Sequence, residues 1–217
     1  MNKTKIEWCD FTWNPITGCT NNCFYCYASR IYKRFKRSFA PTFHPEKIFE
    51  PEKLKTKSII FCGSTTDLYD PMVKAIWREE VYKTIKDNDN HIFIVLTKQP
   101  HNIPDGEERP SNLWIGLTIT NQADWNEKSE IYKRKIKVRR LLNFEPLLEE
   151  VYIPYMFADW VIIGGLTKSN RKTDVNWVIR LTERIKDISD VPIYIKDNIG
   201  KHIQFRTTDF PKEWMIE

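Results

Sequence analysis

Along the chain, short runs of β-branched, aliphatic and aromatic residues alternate with longer stretches in which apolar positions recur every three or four residues. The runs at 6–13 (IEWCDFTW), 58–62 (SIIFC), 91–96 (HIFIVL), 113–118 (LWIGLT), 138–144 (VRRLLNF), 159–163 (DWVII) and 191–195 (VPIYI) predict strands. Segments 26–38, 72–87, 125–136 and 174–188 predict helices. In the last, Val175, Val178, Ile179, Leu181, Thr182 and Ile185 keep a 3.6-residue period behind Asp174, a suitable N-cap. Near-continuous apolar strands interleaved with helices predict an α/β fold built on a parallel sheet. Six or seven such units in 217 residues fit a partial (β/α) barrel of about six to seven parallel strands, formed by residues 1–217 as a single domain. An open doubly wound sheet is the alternative.

Polar residues or glycines follow almost every strand at once, which is where barrel enzymes build their sites. A cysteine loop follows the first strand, Gly63 to Asp67 the second and Thr97-Lys98 the third. Thr118, Thr120 and Asn121 follow the fourth, Glu145 the fifth, Gly164 to Thr167 the sixth and Lys196 to Asn198 the seventh. Loops are polar in any case, but the repetition predicts one rim facing one site.

Composition changes this picture little. Hydrophobic residues at 41% and aromatics at 13% suit a packed protein. No apolar run approaches the length of a membrane span, and the start MNKTKIEWCD lacks the apolar core of a signal peptide, so the expectation is a cytoplasmic protein with no membrane partner. Lys plus Arg exceed Asp plus Glu by 34 − 29 = 5, a balance that permits a polyanionic partner.

The chemistry is concentrated in GCTNNCFYCYA, residues 18–28, where Cys19, Cys23 and Cys26 stand in a C-x3-C-x2-C spacing. Five cysteines, three of them clustered, do not make a secreted disulfide framework. A closed zinc site or a complete iron–sulfur site takes four protein ligands. Three cysteines on a [4Fe–4S] cluster leave one iron open to something that is not protein. A zinc site built on Cys23, Cys26 and two distant ligands is the competing reading, although His44, His91, His101 and His202 show no paired spacing.

The spacing, with Tyr25 before the last cysteine, resembles the signature of the radical S-adenosylmethionine (SAM) superfamily. There the open iron chelates the amino and carboxylate groups of SAM, and an electron from the cluster breaks a carbon–sulfur bond to give a 5′-deoxyadenosyl radical. More closely, KIEWCDFTWNPITGC followed by CFYCYASRIYKRF resembles the three-cysteine radical-SAM-like proteins of bacteria, archaea and phages. FIVLTKQP, NLWIGLTITNQAD, NFEPLLEE, DWVIIGG and VPIYIKDNIG follow in that family's order, so the likeness covers nearly the whole chain. Many members have a longer first cysteine gap; the three-residue gap here is that of mainstream radical SAM enzymes. A more distant likeness joins GSTTDLYDP (63–71) to the threonine-and-aspartate motif of spore photoproduct lyase relatives, where it lies beside SAM.

This resemblance implies Cys19, Cys23 and Cys26 as cluster ligands and Tyr25 as packing near the cluster with its backbone toward adenine. Gly63, Ser64, Thr65 and Asp67 are candidates for the methionine end and ribose of SAM: glycine permits close approach, hydroxyls donate and accept, and a carboxylate suits an ammonium or a diol. A capping loop into the helix after Pro71 is the structural alternative. Thr118, Thr120 and Asn121 are candidates for SAM's ribose or carboxylate. Glu145 and Lys196 are each costly to bury alone and are candidates for acid–base work or for a mutual ion pair; Thr97 and Lys98 share that ambiguity. Cys62, ending the second strand, is either a hydrogen-atom donor or a small buried thiol, and Cys9 reads as structural. The basic stretches IYKRFKRSF (31–39) and IYKRKIKVRR (131–140) read as solvated helix faces or phosphate contacts, with Trp125 and Tyr155 as rings that could stack on bases.

The expected activity is hydrogen abstraction from a substrate, with a nucleic acid base or nucleotide favoured and a reductant such as flavodoxin supplying the electron. A non-catalytic iron–sulfur or zinc protein binding nucleic acid, and a radical SAM enzyme acting on a peptide, are the alternatives.

Overall fold

The computed structural model describes residues 1–167, 172–199 and 206–215, so His202 and Gly200 lie outside the described residues. The fold is mixed α/β with a large, mostly parallel sheet of eight strands, and it matches a partial β/α barrel of the radical SAM type. The chain divides into two compact units, Met1–Trp114 and Ile115–Glu217.

The first unit opens with β1 (Asn2–Lys3), which pairs antiparallel with β2 (Phe11–Trp13) at the sheet edge. A two-stranded ribbon, β3 (Ile16–Thr17) with β4 (Thr42–Phe43), brackets the cysteine loop and helix α1 (Tyr27–Arg34). Then come β5 (Ile59–Cys62), helix α2 (Ala75–Asp87) and β6 (Ile92–Thr97). β2 pairs parallel with β5, placing Trp13 opposite Cys62, and β5 pairs parallel with β6, placing Ile60 opposite Phe93. Trp13, Ile60, Phe93 and Ile94 are fully buried, as strands covered on both faces require. α2 buries Arg78, Val81, Tyr82 and Ile85, a single helical face.

The boundary falls within β7 (Leu113–Thr118), and the second unit continues with α3 (Gln122–Lys135), β8 (Arg140–Phe144), β9 (Trp160–Ile163), α4 (Val175–Ile188) and β10 (Ile193–Ile195). β7 pairs with β8, β8 with β9 and β9 with β10, all parallel. α3 is seated by Tyr132, whose hydroxyl donates to the Ile115 carbonyl and accepts from the Leu141 amide at 3.2 Å. α4 is capped as expected, with the Asp174 carboxylate accepting from Asn176 N at 2.8 Å, and it buries Val178, Leu181, Thr182 and Ile185.

The predicted strands are present but trimmed. Residues 6–10 are a turn rather than part of the first strand, because pairing begins at Phe11. α1 stops at Arg34, four residues before the predicted end, since Lys36 turns into the left-handed region at φ 51°. α2 starts at Ala75, three residues late, because Asp70 holds the preceding turn. α3 starts three residues early, at Gln122, because Asn121 caps it.

Candidate metal and cofactor site

The cysteine loop is fixed at its entry by Gly18, which adopts φ +90°. A side chain there would put Cβ 2.3 Å from the Ala40 carbonyl oxygen, so only glycine fits. Gly18 N donates to the Thr65 carbonyl at 3.0 Å, Thr66 Oγ1 donates to the Gly18 carbonyl at 2.6 Å, and Cys19 N donates to the Phe39 carbonyl at 2.9 Å. Beyond Cys19, the Thr20 amide and hydroxyl both donate to Asp70 Oδ2, at 2.6 and 2.7 Å, and Asn21 Nδ2 donates to Asp67 Oδ2 at 3.2 Å. The loop then turns through Cys23 to Cys26, which is the N-cap of α1.

Two nearly inaccessible carboxylates therefore hold the loop. Asp67 also accepts from Thr97 Oγ1 (3.1 Å), Lys98 N (2.9 Å) and, on Oδ1, Tyr69 N (3.0 Å), tying the loops after β5 and β6 to the cysteines. Burial pushes the Asp67 carboxyl above its ordinary range, against the pull of these hydrogen bonds. Asp70 was not among the residues expected at the site; its signal is the second carboxylate of the motif, three residues after Asp67 and just before Pro71. Asn14 was missed as well. Its Oδ1 accepts from Ser64 Oγ, Thr65 N and Thr65 Oγ1 at 3.2 to 3.3 Å, so both hydroxyls expected at SAM are turned onto one amide. Gly63, at φ +81°, donates its N–H to the Trp13 carbonyl. Much of the 63–67 segment thus serves as the brace of the cysteine loop.

Cys19, Cys23 and Cys26 are half-exposed, whereas Cys9 and Cys62 are buried. Among the described residues no group of three or more His, Cys, Asp or Glu side chains is gathered tightly enough to hold a metal ion. The donor set nevertheless suits an iron–sulfur cluster: three thiols lie on one loop, and two already accept backbone N–H groups. Cys19 Sγ accepts from Asn21 N and Cys26 Sγ from Ser29 N, each at 3.4 Å, contacts that favour a thiolate. Burial, countered by the Asn21 N–H and reinforced by Asp67 and Asp70, pushes the Cys19 thiol up to about 12. Tyr25 packs edge-on to Phe24, its ring lies 5.7 Å from the Lys98 ammonium, and its carbonyl accepts from Arg30 at 3.0 Å. Cys62 is held as a thiol by complete burial.

In the second unit each expected residue stands at the end of its strand. Thr118 is buried at the end of β7. The Thr120 hydroxyl donates to Asp124 Oδ2 at 2.7 Å, and Asn121 accepts from Asp124 N as the cap of α3. Burial alone would raise the Asp124 carboxyl, but Lys128 and Thr120 pull it below its ordinary value. Glu145 and Lys196 form a direct, largely buried ion pair, the mutual alternative of the sequence reading. Gly164 makes room for it, since a Cβ there would lie 2.8 Å from the Glu145 carboxyl carbon. Asn198 pairs with both backbone groups of Gly165 at 2.7 and 3.0 Å. Trp125 is buried against Tyr155 and Phe157, so it is a packing residue and not a ring free to stack on a base.

Comparison with known proteins bears on the fold first. A cysteine-to-serine variant of spore photoproduct lyase superposes with a TM-score of 0.55 at 11% identity, covering 86% of this chain and 64% of that one. Spore photoproduct lyase complexed with dinucleoside spore photoproduct gives 0.53 at 11% identity with the same coverage. A double variant with bound AdoMet and dinucleoside spore photoproduct gives 0.55 at 11% identity, again over 86% and 64%. The chain thus spans 64% of the length of these solved structures. No curated protein matches the sequence. The family described as "Protein of unknown function (DUF5131)" matches residues 3–213, nearly the whole chain, and this protein belongs to it.

Proposed function

We propose that the chain is a radical SAM enzyme in which Cys19, Cys23 and Cys26 bind three irons of a [4Fe–4S] cluster. The observation that carries this reading is the bracing of a three-cysteine loop by Asp67 and Asp70 in a barrel of the radical SAM type. Bound there, the cluster would supply an electron to SAM and cleave a carbon–sulfur bond. The chain's own residues do the holding. Asp70 fixes the span after Cys19, Asp67 links that span to Thr97 and Lys98, and Gly63, Ser64 and Thr65, held by Trp13 and Asn14, are assigned to SAM on sequence position. Thr118, Thr120 and Asn121 are assigned to SAM, and Glu145 with Lys196 to proton handling, on sequence position alone. Cys62, buried as a neutral thiol, has the state required of a hydrogen-atom donor.

The substrate assigned is a nucleic acid base or nucleotide, supported by the dinucleoside named in the structures above and the net charge of +5. The protein is read as one catalytic domain working in the cytoplasm with a reductant such as flavodoxin; no helix among the described residues is long and apolar enough to cross a membrane.

The test is EPR of anaerobically reconstituted, reduced protein with and without SAM. A [4Fe–4S]⁺ signal that changes on adding SAM is expected, and Cys23→Ala should abolish it. A cluster signal indifferent to SAM, or zinc in place of iron, refutes the assignment.

A further inference from the structure

Helix α1 wears its apolar residues on the outside. On α1 itself Ile31 is 48% exposed, and Phe24 in the cysteine loop before it and Phe35 at its C-cap, 70 and 62% exposed, extend the same stripe; Tyr27 is half-exposed, with its hydroxyl turned inward to donate to the Ser64 carbonyl at 3.1 Å. The helix is seated by the Tyr27 hydroxyl, by buried Ala28 and by Tyr32 packed on Phe39 at 4.9 Å. Around the stripe stand Arg30, Lys33, Arg34, Lys36 and Arg37, all exposed, with the Arg34 and Arg37 guanidinium groups 6.0 and 5.8 Å from the Phe35 ring. None of the five forms an ion pair among the described residues. From Phe11 to Pro45 the sequence contains no Asp or Glu at all. An apolar centre within an unneutralised positive rim is the composition of an interface for an acidic partner.

We propose that α1 is the docking face for an acidic, electron-donating protein. The inference rests on the cluster reading, because the stripe begins at Phe24, between the assigned ligands Cys23 and Cys26, and Cys26 is itself the N-cap of α1. A partner seated there lies against the loop that takes its electron: the donor loses one electron and the cluster gains it, with no bond made or broken. Such encounters are small and weak, which a short patch of Phe24, Ile31 and Phe35 in and beside an eight-residue helix suits. A nucleic acid would use the same cations, and binding of a single-stranded oligonucleotide is the competing outcome of the test.

The probe is a fluorescently labelled bacterial flavodoxin, titrated against metal-free and reconstituted protein. Wild-type binding should weaken at least about tenfold between about 50 and about 500 mM salt. Lys33→Glu/Arg34→Glu/Arg37→Glu should weaken low-salt binding by a similar factor and slow cluster reduction by flavodoxin, while reduction by dithionite is unchanged. Ile31→Ser, which alters no charge, should shift binding in the same direction, and circular dichroism checks that both variants fold. Wild-type flavodoxin binding in the triple variant, no binding by the wild type, or a loss confined to a single-stranded oligonucleotide overturns the proposal. Flavodoxin binding through α1 without cluster assembly would refute the cluster reading and not the docking face; a SAM-responsive cluster with α1 irrelevant to binding would do the reverse.

Discussion

Gly18→Ala tests whether the entry to the cysteine loop is fixed by sterics. Two costs arise. An L-residue at φ +90° is strained by about 1–2 kcal/mol. The new methyl would also stand 2.3 Å from Ala40 O, 2.6 Å from Ala40 C and 2.7 Å from Phe39 O, all backbone atoms that move only with the chain. Relieving that overlap costs about a further 1–3 kcal/mol and pulls on the hydrogen bonds Gly18 makes with Thr65 and Thr66. The sum, roughly 2–5 kcal/mol, corresponds to a fall in Tm of about 4–20 °C for a chain of this size. Gly106→Ala is the control, because Gly106 also has positive φ (+69°) but nothing within 4 Å of the added carbon. Thermal unfolding of the metal-free proteins reads the stability, and iron per chain after anaerobic reconstitution reads the loop. The reasoning is refuted if the two variants lose stability equally, since the overlap at Ala40 would then count for nothing.

Asp70→Ala removes the acceptor of both Thr20 donors and of Met72 N; because Thr20 can re-solvate, the loss should be only about 1–3 kcal/mol in urea unfolding, with a disproportionate fall in iron loading. Asp124 has a depressed carboxyl pKa, so its stabilisation is complete above the unfolded value and disappears as pH falls through the lower folded one; the stability difference between wild type and Asp124→Asn should shrink steadily on acidification below about pH 4. Lys196→Met strands a largely buried Glu145 carboxylate and should cost roughly 3 kcal/mol, whereas Glu145→Leu/Lys196→Met should recover most of it. A double variant no more stable than Lys196→Met alone would show that the pair is not the issue.

The parallel strands were legible because each is a run of apolar residues buried on both faces, a signal independent of tertiary detail. What periodicity cannot register is an element of two residues: β1, β3 and β4 are each too short to show alternation, and β3 with β4 forms the ribbon that brackets the cysteine loop. The end of α1 was illegible for a different reason, since Lys36 occupies a left-handed position that a glycine would have announced. At the site, the three cysteines declare themselves by spacing, and Asp67 by its place after a strand. Asn14 and Asp70 act across 50 residues of sequence each, through hydrogen bonds to Ser64 and Thr20 that exist only once the strands are aligned. Asn121 shows the converse: its position suggested a ligand contact, and locally it caps a helix.

The burial that anchors the loop, with the carboxylates behind it, also bears on the chemistry of its first thiol. Disulfide formation and sulfur oxidation proceed through the thiolate, and burial, reinforced by Asp67 and Asp70, favours the protonated form of Cys19. The same burial therefore slows attack by this thiol as well as on it. A metal bound at this position would release that proton, so its affinity there would rise with pH.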